Sequence, residues 1–381
     1  MSAGAATQRR RGAESVAWPR VRLGEVCEII GGGTPSKAIA NYYKGQIPWA
    51  TVRDMNCEVI EKTEHCITQE AVANSATNII AKGEVVISTH VGLGKVCILG
   101  QDTAINQDLK AIIPIDSLLR RYLYYWFRSK AEYIASHGKG ATVKGVTIDF
   151  VKGLTLPLPP LAEQRRIAAK LDWLCGIIAK RKAQLSQLQQ LVKSRFVEMF
   201  GDIESGSQKF PVRYLEDVCL SMSAGKDVPE DSVKLKDEEH TVPIYSNGIE
   251  SNGLYGYARE ARITAPSITI SGRGTIGFVC RREVPFVPII RLVVATPDLN
   301  IVDLVYLESA LRGRCAKNTG TTIPQLPVPV AKRISVMLPP LALQREFAAF
   351  VAKVDKLAFA VRGSLETAEK LYRQQLSEAF A

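Results

Sequence analysis

The chain has 381 residues, 46% hydrophobic and 23% charged, with a formal net charge of +11. That length carries two ordinary domains with real cores, and no apolar run approaches the length that crosses a bilayer. The Lys and Arg excess points to a polyanionic partner, nucleic acid or an anionic surface. Eight cysteines lie at scattered positions without a CxxC pair. That pattern excludes a disulfide framework or zinc ribbon and suits a reducing cytoplasm. Cys57, His65 and Cys66 lack a fourth ligand at suitable spacing, so no metal is assigned.

In chain order, residues 1–16 read as a disordered basic arm around Arg9, Arg10 and Arg11, without the apolar region of a secretory signal. Residues 17–157 form a strand-rich module. Val85-Val86-Ile87 predicts a buried strand, Gly92-Leu93-Gly94 a turn, Lys95 to Leu99 a return strand, and Leu118 to Ala135 a helix. Residues 158–201 form a long helix. Pro160 sits near its first turn, where a missing N–H costs nothing, and Gly201 stops it. Leu171, Leu174, Ile178, Leu185, Leu188, Val192, Phe196 and Met199 make a coiled-coil-like stripe. About 40 residues would span about 60 Å.

A second module, residues 202–337, follows with a strand at Ile268-Thr269-Ile270, a turn at Gly272-Arg273-Gly274, a return strand from Phe278 to Arg281 and a helix from Ile301 to Arg312. Residues 338–381 form a second long helix with Phe347, Val351, Val354, Ala358, Val361, Leu365, Ala368 and Leu371 as its stripe. Gly176 and Gly363 each weaken their helix by about 1 kcal/mol relative to Ala, which predicts a bend or close contact there.

The second half repeats the first. Pro-Pro-Leu-Ala-x-Gln-Arg stands at residues 159–165 and again at 339–345. Leu23, Val26 and Cys27 match Leu215, Val218 and Cys219. Ile47-Pro48-Trp49 matches Val242-Pro243-Ile244, and Ile87-Ser88, Gly94, Val96 and Cys97 match Ile270-Ser271, Gly277, Val279 and Cys280. Gly140, Thr142 and Val143 match Gly320, Thr322 and Ile323, and Ile105-Asn106-Gln107 becomes Val287-Pro288-Ile289. The predicted architecture is α+β: two mixed, strand-rich modules joined by two long helices, with pseudo-two-fold internal duplication. Each stripe needs a partner, either the other helix packed antiparallel or its own module. Residues placed to serve these helices or a partner subunit are Pro160, Leu161, Gln164, Arg165, Leu171, Ile178 and Leu185, and in the second copy Pro340, Leu341, Gln344, Arg345, Val351 and Val354.

No catalytic constellation is evident. Pro159-Pro160 lacks the Asn or Asp and the aromatic of an amino-methyltransferase loop, and Gly94-Lys95 is followed by Val96 rather than the Ser or Thr of a phosphate-binding loop. His65, His90, His137 and His240 have no defensible acid–base partner in sequence. A DNA-binding reading assigns Lys and Arg to phosphates and polar side chains to base edges. The candidates are Thr34, Ser36, Lys37, Arg53, His90, Lys95, Lys139 and Lys144 in the first module. In the second they are Lys226, Ser246, Asn247, Arg273, Arg314, Lys317 and Asn318. The basic face Arg165, Arg166, Lys170, Lys180, Arg181 and Lys182 suits either DNA or a protein partner.

Four stretches resemble one family. Gly31 to Ser36 with Tyr42-Tyr43-Lys44-Gly45 and Ile47-Pro48-Trp49 is similar to the opening of the target recognition domain of type I restriction–modification specificity subunits. Lys82 to Ser88 through Gly94-Lys95-Val96 and Ile105-Asn106-Gln107 resembles its middle. Leu156 to Ile167 resembles the start of its spacer helix, and the second proline motif repeats that. The second module departs, with Ser223-Ala224-Gly225-Lys226-Asp227-Val228-Pro229 in place of the Gly-Gly-Thr-Pro-Ser opening. The resemblance implies two recognition domains reading the halves of a split double-stranded DNA target, held apart by two antiparallel helices. It also implies two bound adenine methyltransferase subunits, which would carry the S-adenosylmethionine, and motor-endonuclease subunits that can join that core. This chain would bind no cofactor and perform no catalysis. The competing readings are a self-contained methyltransferase or nuclease with an unrecognised site, and a structural coiled-coil protein.

Overall fold

A computed structural model describes residues 18–140, 144–312, 314 and 325–381. They divide into two compact units, Met1–Lys180 with Leu365–Ala381, and Arg181–Ser364. The basic arm expected at residues 1–16 lies outside the described residues.

In the first unit a five-stranded sheet runs Cys27–Gly31, Leu109–Pro114, Val85–Ser88, Val96–Leu99, Val59–Ile60. A four-stranded sheet runs His65–Ile67, Ile47–Ala50, Thr103–Ile105, Asn78–Ile80, and Arg20–Arg22 pairs with Thr155–Pro157. Most pairs are antiparallel, but Val59–Ile60 and Ile47–Ala50 each have a parallel neighbour. Val85–Ser88 is buried along its whole length. Its alternating side chains serve two cores, Val85 and Ile87 one and Val86 another, which is why the sequence shows an apolar run instead of alternation. The helix expected from Leu118 to Ala135 is two, Arg120–Ser129 and Ala131–Ser136. The chain breaks at Lys130, whose N–H bonds back to the carbonyls of Trp126 and Phe127, both at 3.1 Å. Tyr122 through Phe127 are all buried, because this helix packs among sheet residues Val85, Ile87 and Val96 and long-helix residues Leu171 and Phe380.

The second unit repeats this plan with fewer strands. Its sheets run Cys219–Ala224, Val293–Pro297, Ser267–Ile270, Val279–Arg282, and Leu254–Ala258, Val242–Tyr245, Val287–Pro288, while Val212–Tyr214 pairs with Ser335–Met337. Registers agree: Ile87 faces Val96 and Lys110, and Ile270 faces Val279 and Val293. One sequence match shifts. Ala50 pairs with Ile105 and Tyr245 with Pro288, so Ile105-Asn106-Gln107 corresponds to Pro288-Ile289-Ile290, one residue later than the sequence match. The expected match of Thr142 and Val143 with Thr322 and Ile323, and of Gly140 with Gly320, reaches outside the described residues.

The long helices run Leu161–Phe200 and Leu341–Phe380. In the second unit Arg181 Nε donates to Ser364 Oγ at 3.2 Å and Arg195 pairs with Glu346 at 3.3 Å, so the two helices are antiparallel. In the first unit Lys170 bonds Gln375, and Leu171 shares a core with Tyr372, Leu376 and Phe380. Phe196 and Phe347 lie 5.5 Å apart between the helices, and the helices also pack on their modules, Phe196 stacking on Tyr306 at 5.6 Å. Both expected partners are therefore used. Leu371 falls off the stripe and is 38% exposed, with Tyr372 taking the inward place. A Cβ on Gly176 or Gly363 would meet nothing within 4 Å, and each long helix runs unbroken through its glycine.

The repeated proline motif has a mechanical explanation. Gln164 is fully buried. Its Nε2 donates to the carbonyls of Ser117 and Pro159, each at 2.8 Å, and its Oε1 accepts from the Leu119 N–H at 2.8 Å. Gln344 does the same, donating to Ile301 at 3.1 Å and Pro339 at 2.8 Å and accepting from Asp303 at 2.8 Å. Leu119 and Asp303 are the N-caps of the short helices Arg120–Ser129 and Leu304–Leu311. One carboxamide thus locks the start of each long helix to the start of the module helix, satisfying backbone groups that would otherwise be orphaned.

Candidate nucleic-acid interface

In the first unit the loops at one end of the strands converge. The chain leaving Cys27–Gly31 runs so close to Ile105 that a Cβ on Gly32 would sit 2.1 Å from its carbonyl oxygen, so glycine is needed there. This lets Thr34 Oγ1 donate to Gln107 Oε1. Asp108 accepts from Asn106 Nδ2 at 3.2 Å, and His90 Nδ1 lies 3.8 Å from Asp108 Oδ1. The Thr89 carbonyl accepts from Val146 N–H at 2.8 Å, and Lys139 and Gly145 exchange two backbone bonds at 2.9 Å, which brings Lys139 and Lys144 beside His90. Lys95 Nζ donates to Asn56 Oδ1 at 3.2 Å and to the Val52 carbonyl at 3.4 Å, while Arg53 pairs with Glu64 at 3.7 Å. Ser36 and Lys37 are exposed on the opening loop. Beneath this rim Lys110 Nζ donates to the Gln107 carbonyl at 2.6 Å. Burial lowers its pKa, and the charge of Asp108 opposes that. The rim therefore mixes hydroxyl, amide, imidazole and carboxylate groups with exposed cations, a set that can read base edges and hold phosphates.

In the second unit the same loops meet with other residues. Arg273 occupies the place of His90, and Arg291 that of Asp108, by the register of Ile270 and Val293. The Lys226 carbonyl accepts from Ile290 N–H at 2.9 Å. Asn247 is committed to backbone: its Nδ2 donates to the Ile290 carbonyl at 2.6 Å and its Oδ1 accepts from Gly272 N–H at 2.8 Å. Ser246 N–H bonds the Gly253 carbonyl at 2.8 Å. Arg314, a DNA-contact candidate by sequence, donates to the Ser335 carbonyl at 3.0 Å and its side chain is only 13% exposed. It serves the fold and does not present its guanidinium at the rim. Lys317 and Asn318 lie outside the described residues.

Among the helix candidates, Gln164 and Gln344 are consumed inside their own units, and Leu171, Val351 and Val354 are buried. Ile178, Leu185, Leu161 and Leu341 are half-buried, and Pro160, Pro340, Arg165 and Arg345 are exposed. The Pro160 and Pro340 carbonyls accept the first helical bonds, from Gln164 and Gln344 N–H.

Sequence reasoning missed Gln107, Asp108 and Arg291. The first closes the Ile105-Asn106-Gln107 motif and the second follows it, so both could have been found from it. Arg291 sits inside Ile289-Ile290-Arg291-Leu292-Val293-Val294, a mostly apolar run without Gly, Pro, Asn or Asp, which reads as continuous strand. Among the described residues no group of three or more His, Cys, Asp or Glu gathers as a metal site. No described helix is long and apolar enough to cross a membrane. Burial pushes the Cys27, Cys97 and Cys219 thiols up to about 12, so they stay protonated and act as small apolar side chains.

The sequence matches the family described as type I restriction modification DNA specificity domain over residues 15–190 and 208–367. It is 32% identical over 192 residues to the type I restriction enzyme MjaIX specificity subunit of Methanocaldococcus jannaschii, covering 49% of this chain and 44% of that protein. It is 33% identical over 157 residues to the EcoR124I/EcoR124II specificity subunit of Escherichia coli, covering 39% of each. The chain spans about half the length, or less, of these curated relatives. The crystal structure of a type I restriction-modification S subunit from M. genitalium shares the fold, with TM-score 0.60 at 16% identity over 97% of this chain and 98% of that one. With two family matches falling on two units of the same strand plan, the chain belongs to the type I restriction modification DNA specificity domain family.

Proposed function

We propose that this chain is the sequence-reading subunit of a type I restriction–modification complex, and that each unit reads one half of a bipartite, asymmetric double-stranded DNA target. The observation that carries this is the contrast between scaffold and rim. Equivalent strands, equivalent Gln locks and the equivalent tyrosines Tyr122 and Tyr306, which donate to the Pro157 and Met337 carbonyls, hold loops whose side chains differ at equivalent positions, His90 and Asp108 against Arg273 and Arg291. A duplicated scaffold with divergent rims suits two different half-sites. Thr34, Ser36, Lys37, Arg53, His90, Lys95, Lys139 and Lys144 are the proposed contacts of one unit, and Lys226, Ser246, Arg273, Lys317 and Asn318 those of the other, with Asn247 shaping its loop.

The long helices supply the spacer and the docking face for two methyltransferase subunits, and restriction subunits join through these. S-adenosylmethionine belongs to the methyltransferases, and no residue of this chain is assigned to it or to catalysis. The setting is the cytoplasm, where such a complex meets DNA. Half-sites about one turn of DNA apart, roughly 34–36 Å, would be engaged together. The test is methylation mapping in cells with and without this chain. A split motif that disappears with the chain supports the reading; an unchanged methylome sinks it. Inserting a few residues into both long helices should lengthen the unspecified spacer while leaving both half-sites intact.

A further inference from the structure

The turn Ile289–Leu292 in the second unit breaks a local rule. Leu292 N–H bonds the Ile289 carbonyl at 3.2 Å, and the two central residues, Ile290 and Arg291, have φ of +47° and +59°. A tight turn with two positive φ values ordinarily takes Gly, Asn or Asp, and a β-branched residue is the poorest choice for it. A second such pair among the described residues of this unit, Ser251 and Asn252, uses residues that tolerate the conformation. At Ile290-Arg291 neighbours impose the strain instead. Asn247 Nδ2 holds the Ile290 carbonyl, Lys226 O accepts Ile290 N–H, and Gly225 O accepts Arg291 N–H at 3.1 Å. The first unit has no positive φ at its equivalent residues Gln107 and Asp108. Strain that the surroundings over-determine marks a placed side chain.

We infer that Arg291 is a base-reading residue of the second half-site, that it recognises guanine, and that Asn247 positions it. The side chain is exposed at the rim beside exposed Arg273. Among the described residues its guanidinium makes a long 3.5 Å approach, Nη1 to Gln325 Oε1, which leaves the guanidinium fork available. Guanine is the base whose O6 and N7 accept both arms of that fork in the major groove. This rests on the DNA-reading function proposed above.

The experiment selects bound sequences from a randomised duplex library with the full chain assembled with its methyltransferase subunits, comparing wild type, Arg291→Gly and Arg291→Lys. Glycine removes the side chain while relaxing the positive φ, so this variant keeps its fold, and unchanged melting checks that. Lysine keeps the charge but loses the fork. Arg291→Gly should lose about tenfold or more of the discrimination for guanine at one position of one half-site, and Arg291→Lys a smaller part of it at the same position, with the other half-site unchanged. Selectivity retained by both variants, or a uniform loss of affinity without loss of any preference, would overturn the assignment. A wild-type complex that selects no motif would instead overturn the DNA-reading function itself.

Discussion

The two units share a mechanism of assembly and differ in what they present. Gln164 and Gln344 make the same three bonds, and Tyr122 and Tyr306 each donate to the carbonyl of a short strand, Pro157 at 2.9 Å and Met337 at 3.0 Å. At the rim the side chains differ, His90 and Asp108 standing where Arg273 and Arg291 do. The comparison teaches that the repeated residues are those that join elements, while the residues free to vary are those facing solvent. A charge network lies between these extremes. In the first unit Arg121 joins the module helix to Asp172 of the long helix and to Glu58. In the second Arg281, from a strand, bridges Glu308 and Asp355. The task is the same, but the arginine comes from a different element.

The largest effect should come from the glutamine lock. Gln164→Leu and Gln344→Leu each leave three backbone groups without their partner, one of them in a buried bond and two in part-buried ones, so each should cost roughly 3 kcal/mol in denaturant unfolding. Markedly unequal losses would break the equivalence of the units. Next come the arginines. Arg281→Ala leaves Glu308, whose side chain is 5% exposed, with less compensation and should cost roughly 2 kcal/mol. Arg121→Ala faces Asp172, 41% exposed, and should cost about 1 kcal/mol. Equal costs would show that burial of the acid does not set the difference. Tyr122→Phe and Tyr306→Phe should each lose about 1 kcal/mol, measured by the same unfolding experiment.

At neutral pH the smallest effect is that of the buried thiols, which emerges only as an alkaline pH dependence common to both units. Cys27 and Cys219 occupy equivalent places, and burial raises each thiol from 9.0 to about 12, with Glu84 adding to the rise at Cys27. The unfolded chain gives up these protons near pH 9 while the folded chain keeps them to about 12. Their contribution is therefore intact below pH 9 and lost as pH rises toward 12. Replacing both by Ala should flatten the alkaline decline of the unfolding midpoint, and an unchanged slope would count against buried thiols as its source.

Much of this was legible in the residues. Long helices declare themselves through stripes of apolar side chains, and Phe347, Val351, Val354, Ala358 and Val361 are indeed buried. Gly201, at φ +82°, ends its helix as a glycine should. The duplication, and with it the two-unit plan, follows from motif spacing because elements that join must keep their residues. Tertiary structure decided the rest. Gln164 looked like a surface or partner residue, since nothing in its neighbourhood says that its amide would be enclosed by loops from Ser117 and Leu119. Arg314 looked like a DNA contact, because a positive charge in sequence does not reveal a backbone carbonyl 3.0 Å away. The turn at Ile290-Arg291 was hidden inside an apolar run. Its conformation is imposed by Asn247 and Lys226, residues distant in sequence, and no local preference of Ile or Arg could have announced it.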